Sequence, residues 1–232
     1  MRAPLPANEA ARLEALRRYD ILDSAPETVF DDLARLASFI GDAAIGTFTL
    51  IDANRQWFKA QVGLSVGETE RDAAFCGYTI LDDVVLQVPD ATLDPRFADN
   101  RLVTGDPNIR FYAGAPVKSA DGFNIGTVCV IDREPRAGLT VAQREALEAL
   151  ARQASMLLEL RRTSRELADV LRDMRALASM LPICSHCRRI RDEQSHWQSA
   201  EEALKATGAQ LSHGLCPECL VKHYPDYADV LK

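Results

Sequence analysis

Ile109-Arg110-Phe111-Tyr112-Ala113-Gly114-Ala115-Pro116 and Ile125-Gly126-Thr127-Val128-Cys129-Val130-Ile131 are two largely apolar runs, and the loop between them carries Asp121-Gly122, a hairpin signal. They read as two strands of one antiparallel sheet. The reading extends upstream. Residues 44–51 are an apolar run and Asp52-Ala53-Asn54 is a turn. Residues 55–62 then alternate Trp57, Lys59 and Gln61 against Phe58, Ala60 and Val62, the period of a strand with one buried face. A further short strand is expected at 84–88. Asp94-Pro95 opens a brief helical turn, with aspartate as cap and proline at the first helical position.

Helical patterns precede these strands. Asn8 can cap a helix running to about Leu22, with Leu13, Leu16 and Leu22 among its apolar positions. Ser24-Ala25-Pro26-Glu27 has the form of a capping box, in which serine and glutamate each satisfy the other's backbone amide. The next helix carries Val29, Phe30, Leu33, Leu36, Ala37 and Ile40 at helical spacing and stops at Gly41. Helices flanking an antiparallel sheet of five or six strands make this an α+β chain.

These blocks carry a family resemblance. Arg18-Tyr19-Asp20-Ile21-Leu22-Asp23, Phe30-Asp31-Asp32-Leu33, Ile51-Asp52 with Arg55-Gln56-Trp57-Phe58-Lys59, and Phe75-Cys76 are followed by Val88-Pro89-Asp90-Ala91 and Asp94-Pro95-Arg96-Phe97-Ala98-Asp99-Asn100. With the opening two runs, extended to Asp132, they resemble in order a bacterial GAF domain. The subtype is the one often placed before sensor kinases and cyclic-dinucleotide enzymes. The resemblance implies a GAF fold, a role in sensing a small ligand or a partner, and frequent dimerisation; it names no ligand. A pocket is expected between the last strands and the loops over them, with Phe75, Cys76, Phe97, Arg110, Phe111 and Tyr112 as candidate cofactor- or ligand-binding residues. Core packing, or a salt bridge for Arg110, is an equally available reading of each. Cys76 and Cys129 lie in apolar sequence and read as small buried hydrophobes.

From Thr140 the period changes. Thr140-Val141-Ala142-Gln143 is a second capping box, and neither proline nor glycine follows until Pro182. Leu147, Leu150, Ala154, Leu157, Leu160, Ser164, Leu167, Leu171, Met174, Ala178 and Leu181 recur in threes and fours, with an irregular step near Leu157 and Leu160. That pattern predicts one long helix with an imperfect heptad seam, suited to a coiled-coil homodimer carrying a signal between domains. A helix packed on its own domain is the alternative.

All four histidines and four of the six cysteines fall at or beyond Cys184. Cys184-Ser185-His186-Cys187 and Cys216-Pro217-Glu218-Cys219 are Cys-x-x-Cys pairs with 28 residues between them. Two such turns supply four thiolates for a closed tetrahedral site, so Zn2+ is the expected cofactor, with Cys184, Cys187, Cys216 and Cys219 as ligands and His186 and His213 as alternates. Another soft metal, or metal-free thiols, are the competing readings. Covalent haem attachment is excluded because Arg188 and Leu220, not histidine, follow the pairs. The 51 residues from 182 onward hold a thin apolar set, and a core that small seldom folds unaided. The blocks around these cysteines resemble a small module that follows sensory domains in other bacterial signalling proteins.

Composition narrows the partners. Of 232 residues, 27 are Lys or Arg and 34 Asp or Glu, a net charge of −7, which disfavours nucleic acid and anionic membranes. Neither a signal peptide nor a long apolar run stands in the sequence, so a cytoplasmic, soluble protein is expected. There is no Gly-rich phosphate loop, no phosphoacceptor histidine on the long helix and no cyclase motif, so no enzymatic activity is expected. The sequence therefore reads as four parts. Residues 1–24 are an N-terminal helix and 25–138 the sensory domain. Residues 139–181 are a dimerising helix, and 182–232 a zinc-binding module that docks another signalling protein. A thiol redox switch or weak reductase using the paired cysteines is the other reading.

Overall fold

The computed structural model describes residues 3–178, 180–192, 195–199 and 210–227. The chain forms two compact units, Met1–Ser164 and Arg165–Lys232.

In the first unit, α1 (Glu9–Arg18) and α2 (Thr28–Gly41) lead into β1 (Ile45–Ile51), β2 (Arg55–Val62) and β3 (Glu68–Glu70). A short α3 (Cys76–Thr79), β4 (Leu86–Val88) and α4 (Arg101–Thr104) precede β5 (Phe111–Lys118) and β6 (Asn124–Asp132). The strands make one sheet in the order β3-β2-β1-β6-β5-β4, antiparallel throughout. The expected hairpin is β5 and β6, with Ala113 opposite Val130 and Ala115 opposite Val128. β6 lies at the centre, between β5 and β1, which explains its near-continuous apolar run. The sequence did not disclose β3, because Glu-Thr-Glu on an edge has no buried face to pattern.

Two cores cover the two faces of the sheet. On one, Phe30, Leu33 and Ala34 of α2 and Leu16 of α1 meet Phe48, Leu50, Phe111, Val128 and Val130. On the other, Phe75, Cys76, Phe97 and Val103 meet Ile45, Ile51, Tyr112, Cys129 and Ile131.

Local signals were kept where nothing stronger competed. The Thr140–Gln143 box forms: Gln143 N–H donates to Thr140 Oγ1 at 3.2 Å, and Thr140 N–H to Gln143 Oε1 at 3.0 Å. The Ser24–Glu27 box does not. Ser24 Oγ and Glu27 Oε1 instead each accept from Lys59 Nζ at 2.8 Å, beside the Ala25 carbonyl at 2.6 Å. The Lys59 side chain is only 1% exposed, and a buried ammonium without acceptors costs several kcal/mol, more than a helix cap contributes. α1 stops at Arg18 rather than Leu22, because Asp20 and Asp23 take left-handed backbone angles (φ 44 and 59) that end a helix.

The long helix is α5 (Val141–Ala178), and its apolar positions divide between two faces. Leu147, Leu150, Ala151, Ala154 and Leu158 are buried in the first core, with Leu157 packed against it. Met156, Leu160, Leu167, Val170, Leu171 and Met174 are exposed. The irregular step near Leu157 and Leu160 is thus where the apolar pattern passes from a core-facing face to an exposed one. The Ala178 and Leu181 side chains lie outside the described residues.

In the second unit, β7 (Met180–Cys184), β8 (Ile190–Arg191), β9 (Trp197–Gln198) and β10 (Gln210–Gly214) form a sheet in the order β10-β7-β8-β9, and α6 (Pro217–His223) follows. No helix among the described residues is long and apolar enough to cross a membrane.

Candidate functional site

Both Cys-x-x-Cys pairs sit at the ends of regular elements. Cys184 is the last residue of β7, held opposite Gly214 of the parallel strand β10. The chain then turns, with Arg188 N–H donating to Cys184 O at 3.0 Å and Arg188 itself at φ 60. Cys216 is the extended N-cap of α6, Pro217 occupies the first turn, and Cys219 follows within it. Trp197 and Leu215 pack against Cys184, Cys216 and Cys219, and among the described residues nearby Ile183 and Ile190 are buried, 5% and 0% exposed.

The four cysteine sulfurs lie within 4.8 Å of one another, and Cys187 Sγ is 3.7 Å from Cys216 Sγ. A tetrahedral ion with sulfur ligands at about 2.3 Å has sulfur–sulfur edges of about 3.8 Å, so the donor set fits one soft cation. Burial opposes ionisation of Cys184, but the backbone N–H groups of Cys187, Cys216 and His186 point at its sulfur and bring its pKa down to about 5. Burial and the neighbouring sulfurs push Cys219 up to about 12 and raise Cys216 as well. Four crowded thiols thus resist shared ionisation, and a cation relieves that repulsion. His186 is exposed and stacks on His223, with ring centroids 4.1 Å apart. The His213 side chain lies outside the described residues.

In the first unit the expected pocket residues separate. Phe75 stacks on Phe97 at 3.9 Å between centroids and meets Tyr112 at 5.2 Å, with Cys76 beside them. Phe111 belongs to the opposite face, because neighbours on a strand point to opposite sides and Tyr112 takes this one. Arg110 donates to the Val103 and Ile109 carbonyls at 2.9 and 3.1 Å, tying α4 to the start of β5.

Cys76 and Cys129 are fully buried in the apolar core of that face, as expected, but hydroxyl groups also reach them. Thr47 Oγ1 lies 3.0 Å from Cys129 Sγ, and Tyr112 Oη 3.4 Å from Cys76 Sγ. Thr79 Oγ1 is 2.6 Å from Tyr112 Oη, and Thr49 and Thr127 bond each other at 2.9 Å. The signal available in sequence was Thr47-x-Thr49, two hydroxyls on one face of a strand with no solvent face.

The GAF domain family model matches residues 25–158. A protein of Pseudomonas aeruginosa named as a cyclic di-GMP phosphodiesterase is 43% identical over 149 residues, which is 64% of this chain and 25% of that protein. The chain therefore spans about a quarter of the length of this relative. Among solved structures, the blue-light-absorbing form of the PixJ GAF domain of Thermosynechococcus elongatus is similar in fold, with a TM-score of 0.50 at 14% identity. That match covers 69% of this chain and 96% of that one. The free methionine-R-sulfoxide reductase of Neisseria meningitidis superposes with a TM-score of 0.49 at 14% identity, over 70% and 99% of the two chains.

The relative named as a phosphodiesterase overturns the expectation of no enzymatic activity. That expectation rested on missing phosphate-loop, kinase and cyclase motifs, which are signatures of other reactions and do not bear on opening a cyclic dinucleotide. With the family model matched over more than half of its length and the antiparallel sheet and long helix in place, the chain belongs to the GAF domain family.

Proposed function

We propose that this chain is a cytoplasmic signalling protein acting on cyclic di-GMP turnover. In this reading the GAF domain senses a small ligand or partner and α5 relays the response. The tail, closed by one Zn2+ on Cys184, Cys187, Cys216 and Cys219, binds another signalling protein. The observation that carries the reading is the 43% identity with a protein named as a cyclic di-GMP phosphodiesterase. The convergence of four sulfurs within 4.8 Å supports the metal. The exposed apolar stripe Met156, Leu160, Leu167, Val170 and Met174 supports a parallel homodimer, since a stripe left in water on a soluble chain favours association. Beside it in the first unit lies an open groove of about 760 Å³ lined by Val84, Pro116, Ala151, Ser155 and Met156.

Two measurements test this. Cells expressing the chain are expected to change their cyclic di-GMP content, read by mass spectrometry, and Cys216→Ser is expected to abolish the change. An unaltered content on expression of the intact chain overturns the link to this nucleotide. Metal analysis of protein purified without added metal is expected to return one zinc per chain. A metal-free protein with a reversible disulfide among the paired cysteines supports the thiol-switch reading instead.

A further inference from the structure

The sheet face opposite α2 holds a second pair of cysteines. Cys76 Sγ and Cys129 Sγ are 3.8 Å apart, both free, and 1% and 0% exposed. A disulfide has a sulfur–sulfur bond of about 2.05 Å, so bond formation needs an approach of under about 2 Å. The two ends differ in freedom. Cys129 lies on β6, hydrogen-bonded between β1 and β5, while Cys76 opens α3, a helix of four residues. The movement falls to α3.

The surroundings favour chemistry over packing. Small apolar residues fill a core without polar partners, yet Thr47, Thr79 and Tyr112 contact this pair or each other, and Thr49 bonds Thr127 alongside. Hydroxyls around a sulfur stabilise its anion, which is the nucleophilic form. Gly114, opposite Cys129 on β5, has the Tyr112 phenol lying over its α-carbon, in the place a larger residue would fill.

We propose that Cys76 and Cys129 are a redox couple that closes an intradomain disulfide on exposure to a peroxide. The Cys76 sulfur attacks one peroxide oxygen, the O–O bond breaks, and sulfenic acid and one water result. The Cys129 sulfur then attacks the Cys76 sulfur, the S–O bond breaks, and hydroxide leaves with the Cys129 proton as the second water. Two thiols are oxidised and one hydrogen peroxide is reduced to two waters. The direction of proton sharing agrees. Burial opposes ionisation, but hydrogen bonds from Cys129, Thr127 and Tyr112 pull the Cys76 thiol below its usual value, while its bond to Cys76 and burial push Cys129 up. The thiol that is lowered therefore belongs to the short helix α3, and the one that is raised to β6. Cys76 and Cys129 belong to the first unit and the four tail cysteines to the second.

The test uses the full chain, reduced and then titrated with hydrogen peroxide, followed by alkylation under denaturing conditions and peptide mapping without reductant. The expected result is loss of alkylation at both Cys76 and Cys129 and one linked peptide containing the pair, released by dithiothreitol. Both thiols remaining alkylatable, separate over-oxidation of each, or links to the tail cysteines overturns the proposal. Cys129→Ser is expected to leave Cys76 as a sulfenic acid that a dimedone probe captures, an adduct lost in the wild type. A folded variant without that adduct also overturns it. Should the variant not fold, the wild-type map decides alone.

Discussion

Arg161 on α5 and Glu27 before α2 share an ion pair of 2.9 Å, although 134 positions separate them in the chain. The same Glu27 oxygen accepts from Lys59 at 2.8 Å, and Arg161 also donates to the Tyr19 and Asp20 carbonyls at 3.1 and 3.0 Å. One carboxylate thus joins the start of α2, the inside of β2 and the middle of α5. Any relay through α5 departs from this anchor.

Glu27→Ala should therefore destabilise the first unit by about 2–4 kcal/mol. The change leaves Lys59 buried with neutral acceptors only, and the lower part of the range reflects a Glu27 side chain that is 35% exposed. Urea unfolding should show a lower midpoint with an unchanged slope. Lys59→Met should cost less, because it removes the buried charge along with its partner.

Acid should weaken the same unit through Glu9. Burial opposes its ionisation, but hydrogen bonds from Arg12 and Arg71 hold its pKa near about 2 against an ordinary 4.5. A depressed folded-state value means the stabilisation is complete above about 4.5 and disappears as pH falls toward 2. Stability measured from pH 6 to pH 2 should fall through that window, and Glu9→Gln should flatten part of the fall.

Gly46→Ala should destabilise by about 2 kcal/mol or more. α2 crosses β1 so closely there that an added β-carbon meets the Ala34 carbonyl and comes within 2.7 Å of Ser38 N. Backbone on both sides cannot move aside as a side chain can. A thermal melt that leaves the midpoint unchanged would refute this.

Chelating the proposed tail metal should unfold the second unit and spare the first. Structural zinc contributes on the order of 10 kcal/mol to a module of this kind, far more than Ile183, Ile190 and their neighbours supply. Hydrogen exchange after chelation should lose protection in β7 and α6 while β5 and β6 keep theirs.

Leu160→Lys should weaken the proposed dimer by about 1.4 kcal/mol or more, tenfold in dissociation constant. Leu160 is 61% exposed in the single chain, so the folded monomer should tolerate the lysine. Sedimentation of wild type and variant over a micromolar range checks both halves of the statement.

Sequence alone determined the features that depend on near neighbours. The β5–β6 hairpin, the span of β2, the Thr140–Gln143 cap and the reach of α5 follow from periods of two to four residues and from local hydrogen bonds, whereas the single buried face expected of β2 does not hold, since Gln56 to Ala60 are all buried. The Cys-x-x-Cys turns are local too, which is why two pairs sufficed to nominate the four-sulfur cluster. Tertiary structure alone decided what depends on distant partners. It diverted Ser24 and Glu27 from their cap to Lys59, and turned Leu147 and Leu158 to the core while leaving Leu160 and Leu167 exposed. It also set Cys76 against Cys129 across 53 positions. The physical reason is that a buried charge, an apolar face or a thiol takes whichever partner the assembled sheet presents, and spacing along the chain carries no record of that choice.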